Sequence, residues 1–255
     1  MTRPTLAIWK FTSCDGCQLS LLDLEDELLA IAGRIEIAHF LEASSRVIDG
    51  PYDVSLVEGS ISTPDQTDRI REIRAQSRLL VAIGACATAG GIQALRNTAD
   101  AGAFRATVYP EPHLIEALDT AKAIEEHVPV DLELRGCPVS PAQLRELIAA
   151  LLAGRKPRLT QEAQCAECKR AGTPCVMVAQ GIPCLGPVTQ AGCGNLCPPL
   201  GRGCYGCFGP VAEANTPALA AQFRRMGLDD RAIRDLFRSF NAAAPAFAAE
   251  SARHD

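Results

Sequence analysis

Long apolar segments are missing from this sequence. The longest clean apolar run, Leu147 to Ala153, is far shorter than the roughly 18 residues that a membrane-spanning helix needs. Basic residues do not outnumber acidic ones, and the net charge of −5 argues against a surface that binds nucleic acid or anionic lipid. The opening segment, MTRPTLAIWKF, has neither a twin arginine nor a charged-then-apolar export signal. We therefore expect a cytoplasmic protein with no membrane insertion and no nucleic-acid partner.

The sequence also lacks the common motifs of catalytic and nucleotide-binding sites. There is no Ser-His-Asp pattern, no P-loop and no Rossmann glycine fingerprint. The four histidines lie away from the cysteine pairs, so we interpret them as ordinary surface or core residues. The loop after the first predicted strand offers cysteines where an FMN phosphate loop needs Ser, Thr and Gly. We predict no catalytic residue on this chain and expect the catalyst on a partner.

Cysteine, in contrast, is abundant. Eight of the twelve cysteines lie in the 46 residues from Cys165 to Pro210, where Cys, Gly and Pro make up half of the segment. Helices and strands are not built from such a composition, so something other than an apolar core must hold this stretch. Cytosolic disulfides are rare, which makes metal ligation the better interpretation of the cysteines.

Residues 1–154 alternate short apolar runs with amphipathic helical patterns. This order predicts a flavodoxin-like α/β domain with a mostly parallel sheet and helices on both faces. The predicted strands are Thr5–Phe11, Ile35–Phe40, Asp53–Glu58, Arg78–Ile83 and Val130–Leu134. The predicted helices cover residues 16–32, 64–76, 90–96, 114–127 and 141–154, and residues 97–112 are ambiguous.

A second domain is predicted for residues 155–255. It begins with a linker to residue 164 and continues with the small irregular cysteine-rich segment. Two C-terminal helices are predicted from Thr216 and from Asp229. The Ala-rich tail after Ala242 is predicted to be loose.

The other four cysteines follow predicted strands. Cys14 and Cys17 come after the first strand, Cys86 after the fourth and Cys137 after the fifth. The carboxyl ends of parallel strands share one edge of a sheet, where open α/β sheets bind ligands. Four thiols from three loops can therefore converge on one cofactor. Taken singly, a cysteine could be a small core residue, and the Cys14/Cys17 pair could be a redox dithiol.

Twelve cysteines divide into three sets of four. Each set could hold a [4Fe–4S] cluster through four thiolates, and three such clusters would form a path for electrons. Structural zinc is the competing interpretation, because four-cysteine zinc sites are common. Zinc would explain the second domain but would give the first-domain cysteines no purpose.

In combination, these motifs closely resemble the small, electron-transferring subunit of [NiFe] hydrogenases. The resemblance covers nearly the whole chain, to about Pro210. The matching pieces are Ser13-Cys14-Asp15-Gly16-Cys17, Val57-Glu58-Gly59-Ser60-Ile61, Gly84-Ala85-Cys86, Gly136-Cys137-Pro138, Pro183-Cys184-Leu185-Gly186-Pro187 and Arg202-Gly203-Cys204-Tyr205-Gly206-Cys207.

The resemblance implies three sets of cluster ligands. The proximal set, nearest the Ni–Fe site of the large subunit, is Cys14, Cys17, Cys86 and Cys137. The distal set is Cys165, Cys168, Cys175 and Cys184, and the medial set is Cys193, Cys197, Cys204 and Cys207. All three clusters are then all-cysteine [4Fe–4S] clusters.

Three positions depart from the membrane-bound and periplasmic members of the family. Cys165 stands where those enzymes have a histidine, and Cys197 where many have a proline. Leu19 occupies the position of their proton-transferring glutamate, which leaves Glu58 as the nearest motif carboxylate. The related subunit of respiratory complex I has adjacent proximal cysteines and lacks the cysteine-rich domain, so it matches less well.

The resemblance implies an electron-transfer subunit of a hydrogenase of the sulfhydrogenase type. Its expected partners are a Ni–Fe large subunit and flavin and iron–sulfur diaphorase subunits that use NADP(H). A methanogen-type enzyme linked to heterodisulfide reductase or F420 is the close alternative. The non-enzyme alternatives are a stand-alone ferredoxin-like carrier and a zinc-stabilised binding module.

Overall fold

The chain divides into two units in a computed structural model that describes residues 3–255. The first unit ends at Pro141, and the second runs from Ala142 to Asp255. This division differs by one helix, Pro141–Leu152, from the division predicted after residue 154. The predicted domain boundary stays a prediction.

Five parallel strands form the centre of the first unit. They are β1 (Thr5–Lys10), β2 (Glu36–Phe40), β3 (Tyr52–Glu58), β4 (Ser77–Ile83) and β5 (Leu132–Leu134). Their order across the sheet is β2-β1-β3-β4-β5, and every neighbouring pair is parallel. This is the flavodoxin-like order, with its switch point between β1 and β3. The predicted α/β fold is confirmed.

Burial explains the apolar sequences of the central strands. Residues 80–83 of β4 and residues 56–57 of β3 are inaccessible to solvent. A strand covered by helices on both faces has no solvated side, so a continuous apolar run replaces the usual alternation. Helix α3 (Pro64–Ala75) begins with proline at a position that suits it and contributes Ile70 and Ile73 to this core.

The helix predicted for residues 16–32 is instead two helices. These are α1 (Gly16–Leu22) and α2 (Asp26–Ala32). Between them the chain closes turns with hydrogen bonds to carbonyls three residues back, and Glu25 takes a positive φ of 47°. A helix cannot continue through a left-handed residue, so the apolar periodicity alone was misleading here.

The connection from β4 to β5 consists of short helices and irregular chain. Helix α4 (Gly84–Ala89) follows β4 directly, and α5 (Ala101–Val108) occupies part of the ambiguous stretch. The helix predicted for residues 114–127 is wrong. Ile61 and Lys122 form an antiparallel bridge there, so the backbone groups that a helix would use are bonded to the loop after β3.

The second unit combines the cysteine-rich loops with a small helical core. Its helices are α6 (Pro141–Leu152), of which all but the first residue belong to this unit, α7 (Gln164–Arg170), α8 (Val176–Gln180), α9 (Thr216–Arg225), α10 (Asp230–Phe237) and α11 (Pro245–Ser251). Leu185 and Val188 of the cysteine-rich stretch pack with Phe223, Phe237 and Phe247 of the later helices. The C-terminal helices therefore supply the core that the glycine-rich and proline-rich loops cannot build themselves.

The predicted loose tail after Ala242 is wrong, because α11 packs against the second unit. Phe247 is 1% exposed and meets the ring of Phe237 edge-on at 5.6 Å. The buried His254 contacts carboxylates of Asp230 at 2.8 Å and Glu250 at 3.2 Å. An Ala-rich segment with one large apolar residue has too little periodicity to reveal such packing.

Helices in the described chain are short. The two longest within residues 3–255, α3 and α6, have 12 residues each and so extend about 18 Å. Over that same range, no helix combines the length and the apolar character needed to cross a membrane.

Replacing Phe247 with alanine tests whether α11 belongs to this core. The change removes a fully buried ring, so we expect the free energy of unfolding to fall by about 3–5 kcal/mol. Urea denaturation of the intact protein measures the change. Phe104→Ala, at a ring that is 58% exposed, is the matched control and should shift it by less than about 0.5 kcal/mol. An F247A protein as stable as wild type would contradict the packing.

Candidate metal centres

The proximal set lies at one edge of the parallel sheet. Cys14 and Cys17 follow β1, Cys86 lies in α4 directly after β4, and Cys137 follows β5. Burial raises the pKa of Cys17 most, and Cys86 and Cys137 raise it further. Cys14 likewise adds to the effect of burial on the pKa of both Cys86 and Cys137. A Cβ added at Gly16 would lie within 4 Å of both the Cys14 sulfur and Pro138, and one at Gly84 within 4 Å of both the Cys17 sulfur and the Gly136 carbonyl. The segments that carry the four predicted cysteines therefore meet at this edge.

Two glycines leave room for these sulfur atoms. Gly84 and Gly91 have φ values of 86° and 63°, in the left-handed region. A Cβ at Gly84 would collide with the sulfur of Cys17, and one at Gly91 with the sulfur of Cys86. Any other residue would meet both backbone strain and a sulfur atom at these positions.

Glu58 is buried beside Cys17. Its Oε1 accepts a hydrogen bond from the Cys17 backbone N–H at 3.0 Å, while its Oε2 has no hydrogen-bond partner among residues 3–255. Burial raises the pKa of this carboxyl group and so favours its neutral form. Gln18 faces the carboxyl group without reaching hydrogen-bond geometry. Glu58 thus fixes the backbone that carries Cys17.

Gln93, which sequence reasoning missed, contacts the proximal set. The Cys86 thiol donates to Gln93 Oε1 at 3.3 Å, and Gln93 Nε2 donates to the Thr12 carbonyl at 3.2 Å. Gln93 lies in a 3-10 helix, Gly91–Thr98, that begins two residues after the end of α4. No motif marks this residue, because its contact depends on the path of that helix.

The distal set lines one pocket of about 120 Å³ in the second unit. Cys165 and Cys168 lie on α7, Cys175 precedes α8, and Cys184 lies in the loop that follows. Gly186 forms part of the wall, because a Cβ there would be 3.3 Å from the Cys184 sulfur and 3.6 Å from the Cys165 sulfur. The four predicted side chains therefore surround a common space.

The medial set consists of two neighbouring pairs. After the larger effect of burial, Cys193 raises the pKa of Cys197, and Cys207 raises that of Cys204. The backbone N–H of Cys204 also donates to the sulfur of Cys184 at 3.1 Å. Cys184 therefore adjoins both sets, and the division of the eight cysteines into distal and medial ligands stays a prediction.

Three polar side chains that sequence reasoning missed lie among these eight cysteines. The Cys193 thiol donates to Gln164 Oε1 at 3.4 Å, and the Cys168 thiol donates to Asn195 Oδ1 at 3.0 Å. Glu167 Oε2 accepts the backbone N–H of Asn195 at 3.2 Å. These contacts link the loop around Cys193 to α7.

Burial disfavours the charged form of these thiols. It raises the pKa to about 12 for Cys86, about 11 for Cys165 and about 12 for Cys204. A thiol must lose its proton to bind a metal, so metal binding releases protons and supplies the missing positive partner. All-sulfur sets beside glycines fit either zinc or iron–sulfur clusters. Among the described residues, no group of three or more Cys, His, Asp or Glu side chains has a geometry that could hold a single metal ion.

Comparison with known proteins identifies the family. Residues 14–151, more than half of the chain, match the family described as NADH ubiquinone oxidoreductase, 20 Kd subunit. The chain is also 35% identical over 232 residues to the sulfhydrogenase 2 subunit delta of Pyrococcus furiosus, covering 91% of this chain and 97% of that protein. This chain is a hydrogenase subunit of that family.

Two further comparisons agree. The chain is 35% identical over 231 residues to a subunit of the F420-non-reducing hydrogenase of Methanocaldococcus jannaschii, covering 79% of this chain and 80% of that protein. Its fold matches a chain of an NAD+-reducing [NiFe]-hydrogenase with a TM-score of 0.58 and 28% identity, covering 62% of this chain and 96% of that chain. The predicted resemblance to [NiFe] hydrogenase small subunits is confirmed, and the chain is part of an oxidoreductase.

Replacing Gly84 with alanine tests the proximal set as a metal centre. The added Cβ meets the Cys17 sulfur, so we expect the metal content of the chain to fall by about a third, one set in three. Iron and zinc analysis of the intact protein measures it. Gly154→Ala, with a φ of 63° but nothing within 4 Å of the added Cβ, is the matched control and should keep its metal. Full metal content in G84A would rule out this role for the sheet edge.

Proposed function

We propose that this chain is the electron-transfer small subunit of a [NiFe] hydrogenase. It relays electrons between the Ni–Fe site of a large subunit, where H2 is oxidised or protons are reduced, and a flavin and iron–sulfur diaphorase partner that uses NADP(H). The proposal is supported mainly by the meeting, at one sheet edge, of the segments after β1, β4 and β5 that carry Cys14, Cys17, Cys86 and Cys137. Membership of a hydrogenase family supports the reaction.

Three [4Fe–4S] clusters are the proposed cofactors. Each set of four cysteines supplies four thiolates, so the twelve cysteines of the chain match three such clusters. When bound, such a cluster supplies reversible one-electron transfer. Residues 1–154 hold the proximal set in this proposal, and residues 155–255 hold the medial and distal sets.

The chain's own residues would hold the clusters and adjust their surroundings. Backbone N–H groups already point at ligand sulfurs, from Cys204 to Cys184 at 3.1 Å and from Gly206 to Cys204 at 3.4 Å. Hydrogen bonds to cluster sulfurs stabilise added negative charge, whereas burial opposes it. The balance of the two effects sets the potential of each cluster.

The large subunit is the proposed cover of the proximal edge. Leu19 and Ile92, both 51% exposed, lie close in sequence to Cys17 and Cys86. Exposed apolar side chains beside a cofactor are expected where another subunit packs.

The cytoplasmic location remains our proposal from the sequence, as does the absence of a nucleic-acid partner.

A methanogen-type hydrogenase subunit is the second candidate. The Methanocaldococcus jannaschii relative, named as F420-non-reducing, matches this chain at the same 35% identity as the sulfhydrogenase relative. The candidates differ in the electron acceptor rather than in the role of this chain. The subunits that co-purify with this chain, and the electron acceptor that they reduce, decide between the two candidates. H2-dependent reduction of NADP supports the first, and heterodisulfide or F420 chemistry supports the second.

Anaerobic metal analysis tests the proposed cofactors. We expect about twelve irons and negligible zinc per chain, because three clusters of four irons occupy the three sets. Two or three zincs without iron would overturn the proposal in favour of a zinc-stabilised binding module. An iron-containing chain that purifies from its native source as a monomer, without a large subunit, would contradict the proposed relay and favour a ferredoxin-like carrier.

A further inference from the structure

Gln164 lies at the junction of the distal and medial sets. It is the first residue of α7, immediately before Cys165, and it is only 2% exposed. Its backbone N–H donates to the carbonyl of Thr189 at 2.8 Å, which ties the start of α7 to the loop that leads to Cys193. Because the side chain is buried, its amide group must find partners among buried groups.

The Gln164 amide adjoins thiols of both sets. Its Oε1 accepts a hydrogen bond from the Cys193 thiol at 3.4 Å. The Gln164 side chain also lines the same pocket as Cys168. Its Nε2 is buried and has no hydrogen-bond partner among the described residues. A buried amide donor without an acceptor is costly, so this nitrogen indicates an acceptor in the working protein.

Metal binding changes what the neighbouring sulfurs can do. A neutral thiol donates a hydrogen, whereas a thiolate ligand has lost that hydrogen and can only accept hydrogen bonds. The hydrogen bond from Cys193 to Gln164 Oε1 therefore cannot persist once Cys193 is a ligand. Gln164 Nε2, with two hydrogens, is then a buried donor beside accepting sulfurs.

The other two side chains in contact with these thiols, Asn195 and Glu167, already have hydrogen-bond partners. Asn195 Nδ2 donates to Thr173 Oγ1 at 2.6 Å. Glu167 Oε2 accepts backbone N–H groups of Gly194 and Asn195 at 3.1 and 3.2 Å. A carboxylate has no hydrogen to offer a sulfur atom, so Glu167 holds this turn in place without serving as a donor. Of the three side chains that contact Cys168 or Cys193 in this way, Gln164 is the one whose donor nitrogen has no partner among the described residues.

We propose that Gln164 is a positioning residue that donates an Nε2–H hydrogen bond to a ligand thiolate, Cys168 or Cys193, where the distal and medial sets meet. The inference rests on the proposed function, because it requires bound clusters. Such a hydrogen bond stabilises the added negative charge of a reduced cluster and makes that cluster easier to reduce. Gln164 thereby influences how an electron is distributed between the two clusters of the second unit.

The variants Gln164→Met and Gln164→Glu test this role in the intact, anaerobically purified complex. Methionine keeps the length of the side chain and removes the donor, whereas glutamate keeps the shape and brings a second oxygen towards the sulfur. In an EPR-monitored redox titration, we expect the ratio of reduced to oxidised medial or distal cluster at a fixed potential to fall about two- to tenfold in Q164M. The fall should be larger in Q164E, and the proximal cluster should be unchanged in both.

Gln161→Met is the matched control, because Gln161 is exposed and three residues before Gln164. It should titrate as wild type. An iron-replete Q164M protein whose medial and distal clusters also titrate as wild type would overturn this inference alone. A wild-type protein that holds zinc and no iron would overturn the proposed function and this inference with it.

A measurement on the wild-type protein covers the case in which the variants fail to assemble. With ¹⁵N in the glutamine side chains, pulsed EPR should detect a ¹⁵N coupling to the reduced medial or distal cluster. A coupling at the proximal cluster alone, where Gln18 and Gln93 lie, would contradict the assignment, as would no coupling at all.

Discussion

The buried thiol is the group on which both units of this protein depend. A neutral thiol packs as a small apolar side chain, whereas a thiolate in the same place needs a positive partner. Cys17 and Cys204 are buried in this way, and burial raises the pKa of both far above the ordinary value for cysteine. The fold therefore surrounds groups that become charged only when a metal takes the place of their protons.

The two units bring their thiols together by different means. In the first, a sheet with a fully buried centre at Leu56 and Leu80 fixes the strand ends, and the loops carry the cysteines to a common edge. In the second, loops rich in glycine and proline cannot form such a core. Helices α9, α10 and α11 supply one by packing on Leu185 and Val188. The first site is thus a consequence of topology, and the second depends on the loops themselves.

The sequence predicts the sheet well because buried parallel strands are continuous apolar runs. The meeting of Cys14, Cys17, Cys86 and Cys137 follows from parallel pairing and needs no further information. The wrong helix at residues 114–127 has a tertiary cause, since pairing of Lys122 with Ile61 decides the backbone there. The packing of the tail is not visible in its sequence, because α11 has a single large apolar side chain, Phe247, and its other contacts are polar ones of buried residues such as Glu250 and His254.

The polar surroundings of the thiols were beyond sequence reasoning for a related cause. Gln93 contacts Cys86 because of where the 3-10 helix after α4 places it, and Gln164 at the start of α7 contacts Cys193 in a later loop. No residue pattern encodes such contacts, because they depend on how separate segments pack. The sequence shows which residues can be ligands, whereas the side chains that surround each ligand depend on the fold.

In the proposed function, each of the three sets of four thiolates holds one [4Fe–4S] cluster. Mössbauer spectroscopy of the ⁵⁷Fe-enriched, anaerobically isolated complex tests it most directly, because it distinguishes cluster types within one sample. We expect all iron of this chain to belong to four-iron clusters with thiolate ligands. A substantial share of three-iron or mononuclear iron in this chain, or no cluster iron in it, would exclude three four-iron clusters.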